Sequence, residues 1–217
     1  MLSCEFTEAA ADLPDQAKAT ITATAQRAHQ QVLEVLPVEE QMRLVIAPTQ
    51  NALATTGDNA YTAEPDRIYW SYDQDRDPVQ VADAHLRKAF FHEAFHAARF
   101  RRLRHEAGLE RWSSVALGEG LACVFARDFA DAHEEWCSYD PRVMPMWAAE
   151  LLQRPWGEFE RWKFRHEDGR ERIAFRVGVW LVDQIIATTG RGPRELVWTP
   201  IEEIEALPVV AELLASH

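Results

Sequence analysis

The sequence predicts a single, mainly helical α+β domain with a small antiparallel or mixed sheet. Three observations lead there: a stretch from Val79 to about Arg104 that contains neither Gly nor Pro, two short β-branched and aromatic runs at 43–47 and 67–72, and helical patterning over much of the chain beyond residue 110. With 217 residues, 47% of them hydrophobic, the chain has material for one core and too little length for several ordinary domains.

Residues 14–36 place Ile21, Ala25, Ala28, Val32, Leu33, Val35 and Leu36 among Gln, Thr and Glu, the pattern of an amphipathic helix, with Pro37 to end it. The run Arg43, Leu44, Val45, Ile46, Ala47 reads as a strand stopped by Pro48. Residues 49–66 read as a loop with a turn at Gly57, Asp58 and Asn59. A second strand is expected from Arg67 through Ile68, Tyr69, Trp70 and Ser71 to Tyr72. Asp77 and Pro78 suit the cap and first position of the long helix, which Gly108 would separate from a second helix capped by Ser113 or Ser114 and reaching about Ala130. Residues 136–164, dense in Trp and Pro, read as short helices and loops. Residues 171–189 form another apolar helix closed by Gly190, and 200–214 is helical in pattern except at Pro208.

Thirty-five acidic side chains against 23 basic ones give a formal charge of -12, a field that repels a phosphate backbone and argues against nucleic acid as a partner. No apolar stretch is long enough to span a membrane and the start has no signal-peptide pattern, so membrane insertion is not expected and a cytoplasmic location is. Cys4, Cys123 and Cys137 are odd in number and scattered, which fits reduced thiols.

The chemistry is carried by His92, Glu93, Ala94, Phe95, His96. Two histidines four residues apart on a helix project one above the other, and two imidazoles so placed can chelate one zinc ion. Glu93 is rotated about 100° from His92 and can approach a water at the metal from the side, as a general base needs. The bland reading is a helix with two ordinary histidines and a surface Glu. A catalytic site wants a third protein ligand, and Glu119 is the best candidate; Gly118, Gly120 and Ala122 around it are small enough to let helix backbones approach. Alternatively Glu119 is a first-turn Glu favoured by the helix dipole. Arg99, Arg101, Arg102 and Arg104 suit a solvated helix C-terminus, although Arg99 is also placed to pair with an acidic group or a substrate carboxylate. Cys123 reads first as a small core residue. His85, His105, His133 and His166 lack ligand spacing with one another, and His29 and His217 are isolated.

The helix motif followed by Glu119, Gly120, Leu121, Ala122 resembles the gluzincin pattern of zinc metallopeptidases, in which a Glu from the next helix is the third ligand. Within that group the chain is most similar to the DUF2268 or YjaZ-like predicted Zn-dependent proteases, through the zinc-helix motif with Arg99, the segment at 119–122, and Phe175 to Gly178 as an aromatic-x-x-Gly pattern. The resemblance spans about 67–207 and implies a zincin-like metallopeptidase core there, with 1–66 as an N-terminal helix and sheet portion. It implies one Zn²⁺ per chain held by His92, His96 and Glu119, Glu93 as catalytic base, and a peptide or protein as substrate. It also implies an edge strand before the zinc helix that binds extended peptide, a place filled by Ile68, Tyr69, Trp70 and Ser71; an ordinary paired strand is the alternative. Gluzincins supply a Tyr or His to the oxyanion where this chain has Phe175, which cannot donate a hydrogen bond. Arg99, Arg176, His166 and Tyr139 are the candidate substitutes. Two rival functions share these residues: a zinc-dependent hydrolase of a non-peptide amide or ester, and a catalytically silent zinc-binding interaction protein.

Overall fold

Both runs that the sequence marks as strands form strands, and two further strands join them. The computed structural model describes residues 2–36, 38, 41–103 and 110–215. The expectations that Pro37 ends the first helix and that a loop surrounds Gly108 lie outside the described residues, as do Arg104, His105 and His217. The chain divides into two compact units, Met1–Arg102 and Leu103–His217.

The first unit is a four-stranded mixed sheet with helices against it. Strands β1 (Leu2–Phe6), β2 (Met42–Thr49), β3 (Asp58–Glu64) and β4 (Arg67–Asp73) stand in the order β1-β2-β4-β3. β1 and β4 both run parallel to β2, and β3 runs antiparallel to β4. Parallel strands need a crossover, and helix α1 (Asp15–Val35) supplies the one between β1 and β2. Its apolar stripe, Ile21, Ala25, Ala28 and Val32, is fully buried. Leu44 and Ile46 of β2 and Ile68, Trp70 and Tyr72 of β4 form the buried face of the sheet.

Two strands carry no clear sequence signal. β1 is five residues at the chain start, too short for its alternation to stand out. β3 falls inside the segment expected to be a loop, because Asp, Asn, Ala and Glu are poor strand formers. Its strand conformation is imposed by pairing, with Asn59, Ala60, Tyr61 and Thr62 facing Ser71, Trp70, Tyr69 and Ile68 of β4. The buried Asp58 accepts a hydrogen bond from Trp70 Nε1 at 2.9 Å, and Tyr61 stacks on Tyr69 at 4.7 Å.

The long helix starts as expected: Asp77 caps it by accepting from the Val79 N–H at 2.9 Å, with Pro78 first in the helix. It is not one regular helix, however. α2 (Pro78–Val81) passes through a π turn at Ala82–Leu86 into α3 (Arg87–Arg102), and the π turn rotates everything after it relative to an unbroken helix. α3 packs on α1 and on β3.

The second unit is helical and built around one helix pair, α4 (Trp112–Ala130) and α6 (Ile173–Thr189). α5 (Met144–Leu152), α7 (Pro193–Leu196), α8 (Ile201–Glu205) and α9 (Pro208–Ala215) surround it. Ser113 and Ser114 lie inside the first turn of α4 rather than capping it; Arg111 holds the cap position and makes no side-chain cap bond. Gly190 closes α6 in the left-handed conformation, as a C-terminal glycine should. The last predicted helix is two, α8 and α9, broken before Pro208. Gly120 of α4 and Gly178 of α6 meet backbone to backbone: a Cβ on Gly178 would lie 1.9 Å from the Ala116 carbonyl oxygen, and one on Gly120 would lie 2.2 Å from the Gly178 carbonyl carbon. No helix among the described residues is long and apolar enough to cross a membrane.

Candidate metal centre

α3 carries His92 and His96 on successive turns with Glu93 next to the first, in a helix whose remaining faces bury Phe90, Phe91, Ala94, Phe95, Ala97 and Ala98. The two imidazoles stand edge to face, with their Nε2 atoms 3.2 Å apart. Two nitrogens at zinc-ligand distance on a tetrahedral centre are separated by about 3.3 Å, so the pair is spaced for one ion. Glu93 is buried, with 7% of its surface exposed. Its one charged group is met from β3: Thr62 Oγ1 lies 2.8 Å from both Glu93 Oε2 and the Glu93 carbonyl oxygen, and its single proton serves one of them at a time. Thr62 stands in the segment expected to be a loop, and no sequence signal attaches it to the site.

Glu119 sits on α4, one residue before the glycine that contacts α6. Of the small residues around it, Gly120 does let a helix backbone approach, and that helix is α6. Gly120 admits Gly178, while a Cβ on Gly118 would meet nothing within 4 Å. Glu119 Oε1 is bound by Lys163 Nζ at 2.7 Å, a pair with both side chains largely buried. Lys163 has no sequence signal, since it stands in the aromatic segment with no fixed spacing to Glu119. Its ammonium lies 5.1, 5.9 and 5.5 Å from the ring centres of Phe159, Phe164 and Phe175. Arg172 approaches two of the same rings, with Cζ 4.9 Å from Phe164 and 5.4 Å from Phe175. Phe175 thus has a cation on it from each residue, although it offers no donor itself. One turn beyond Glu119, the buried thiol of Cys123 is hydrogen-bonded to Cys137, and burial pushes its pKa well up; none of Cys4, Cys123 and Cys137 forms a disulfide.

His92, His96 and Glu119 each offer one donor atom of a kind that holds a metal ion. Two imidazoles and a carboxylate are a donor set that suits zinc, with one position left for water.

Tyr139, Arg176 and His166 make contacts of their own within the second unit. Tyr139 donates to Asp183 Oδ2 at 2.9 Å, within an ion pair that Arg127 makes to both oxygens of the same carboxylate; burial first, and then that hydrogen bond, raise its pKa to about 12. Arg176 binds Glu135 at 2.9 Å and the Ser138 carbonyl. His166 is buried with Nδ1 2.9 Å from Asp168 and its ring against Trp162. Arg99 is buried near the end of α3, whereas Arg101 and Arg102 are exposed, in keeping with a solvated terminus to which Arg99 is the exception. The expected substrate edge is also corrected. Ile68, Tyr69, Trp70 and Ser71 belong to β4, which is paired on both sides, because β3 takes up the position outside it.

Comparison with known proteins points the same way. The family model described as "Predicted Zn-dependent protease (DUF2268)" matches residues 16–205. The chain belongs to the DUF2268 family. The DUF2268 match takes in nearly all of α1, the whole sheet after β1, and the helices that carry His92, His96 and Glu119, so it begins well before the 67–207 segment in which the motifs lie. No curated protein and no solved structure matches the chain.

Proposed function

We propose that this DUF2268 protein is a zinc-dependent peptide hydrolase of the gluzincin type, with a zincin-like site in which His92, His96 and Glu119 hold one Zn²⁺ and Glu93 is the general base. The observation that carries the reading is the imidazole pair, 3.2 Å apart on one helix, with a buried carboxylate between them in sequence and held by Thr62. The family's description as a predicted zinc-dependent protease supports it.

Zinc bound there would lower the pKa of a water and polarise the scissile carbonyl. Glu93 takes the proton of the attacking water and passes it to the leaving amine, a role that requires a carboxylate within hydrogen-bond reach and fixed in direction. Thr62 fixes it. Because Thr62 is on β3, the strand that pairs only with β4 among the described residues, the outer edge of β3 is the place for an extended peptide to add by main-chain hydrogen bonds. The same strand then aligns substrate and orients the base.

The metal assignment is tested by elemental analysis of the purified chain beside His92→Ala, His96→Ala and Glu119→Ala. The expected result is about one zinc per chain, lost in all three variants. Zinc retained in Glu119→Ala would move the third ligand elsewhere. Removal of zinc by chelation is expected to abolish cleavage of a peptide panel and its return to restore it. Thr62→Val is expected to keep zinc content and to lower kcat about tenfold, the scale of one hydrogen bond to a charged group. An unchanged kcat in that variant would take Thr62 out of the site.

A further inference from the structure

We propose that Arg172, flanked by Lys163, forms a carboxylate-binding site beside Glu119 and selects peptides that carry a carboxylate close to the scissile bond. The proposal rests on the hydrolase reading for the words scissile bond, and on the second unit alone for the site.

The two cations differ in what they are doing. Lys163 is committed to Glu119 at 2.7 Å. Arg172 makes no side-chain hydrogen bond or ion pair among the described residues, although it is half-buried. Its neighbour Glu171 lies 3.6 Å from Arg165 instead. Aromatic rings hold the guanidinium: Cζ is 4.9 Å from the centre of Phe164, 5.4 Å from Phe175 and 5.5 Å from Trp136. Ring faces are weak partners for a cation, and the guanidinium N–H donors of Arg172 have no carboxylate or carbonyl acceptor among the described residues.

A guanidinium taken partly out of water with no anion in hydrogen-bond contact loses hydration that ring contacts and more distant carboxylates only partly replace. Burial lowers its pKa and the nearby Glu119 carboxylate opposes that effect, while arginine stays charged throughout the working pH range. The backbone of Arg172 is also held in the left-handed region, at φ 56°, which costs a non-glycine residue about 1 kcal/mol. The planar fork of donors matches a carboxylate, and a charge-assisted pair there would complete the solvation that the fold has removed. The position is fixed by the contacts: Lys163 links Glu119 to the rings of Phe164 and Phe175 that Arg172 also covers. With a net charge of -12, the chain's average field repels acidic peptides, so a local cation is what would admit them.

A carboxylate can come from an Asp or Glu side chain or from a free C-terminus, and two peptide pairs separate these sources. The first pair is an acetylated peptide with a free C-terminal carboxylate and its C-terminal amide. The second is an amidated peptide with an internal Glu and the same peptide with Gln. Cleavage is measured with the zinc-loaded full chain, and binding of the same peptides is measured by calorimetry on Glu93→Gln. The expected result is a preference of about 10- to 100-fold for the charged member of one pair, in kcat/KM and in Kd, the scale of a charge-assisted hydrogen bond. Arg172→Gln should erase the preference and Arg172→Lys recover part of it. Arg172→Asn, whose residue type tolerates a positive φ, provides a second uncharged variant should the glutamine form not fold. No preference in either pair, or a preference that survives loss of Arg172, overturns the proposal. Binding that depends on Arg172 while no peptide is cleaved keeps the carboxylate site and overturns the hydrolase reading instead.

Discussion

Glu93→Gln is expected to retain zinc at the wild-type level and to lose about 10²–10⁴-fold in kcat, the usual contribution of a general base. The substitution isolates proton transfer. Glutamine has the size of glutamate and a similar helix propensity, so α3 and its buried faces are kept. Its amide oxygen can still accept from Thr62 Oγ1, which lies 2.8 Å from Glu93 Oε2, so the side chain keeps its partner. The two Nε2 atoms of the proposed ligands are untouched. What goes is the ability to take a proton. Zinc content, the thermal midpoint and peptide cleavage are measured on one preparation. Wild-type cleavage would remove Glu93 from the mechanism, and loss of zinc would make it a ligand rather than a base.

Gly178→Ala is expected to destabilise the second unit by about 3 kcal/mol, the upper part of the range for overpacked cores. The clash is with backbone, since the new Cβ would fall 1.9 Å from the Ala116 carbonyl oxygen and 2.9 Å from the Gly120 nitrogen, so no side chain can swing aside. The helices must separate, and α4 and α6 carry the buried residues Leu117, Leu121, Val124, Val177, Leu181 and Val182. Gly120→Ala should act alike, and the double variant should cost less than the sum, because both press on one contact. Gly118→Ala is the control. Nothing lies within 4 Å of its added Cβ, so it should gain up to about 1 kcal/mol of helix propensity. Urea unfolding of the four variants decides the matter, and equal stability of Gly118→Ala and Gly178→Ala would show that the close approach is not needed. A shift of α4 also moves Glu119, so weaker zinc affinity is expected to accompany the lost stability.

These two expectations come from different levels. His92, Glu93 and His96 are legible in the sequence because their relation is local: positions one and four apart on a helix have fixed directions wherever that helix sits. The caps belong to the same level, and Asp77 with Pro78 and Gly190 mark the helix ends where the backbone itself needs them. α1 is readable from Ile21, Ala25, Ala28 and Val32 for the same reason.

Relations between distant segments are decided by the tertiary structure. Residues 67–72 are marked as a strand by their composition, with no sign of which side would be covered; β3, with weak strand formers, becomes the edge because β4 offers it a pairing partner. Thr62 reaches Glu93 only through that pairing. Lys163 binds Glu119 without any spacing to announce it, and the glycine at 178, weak as a motif, has its reason in the backbone of α4. Periodicity records what each element needs from water and from its own backbone. Which side chain fills the space beside a given carboxylate, or which strand is left open, depends on how the chain closes on itself, and one sequence carries that information only in the sum of its packing.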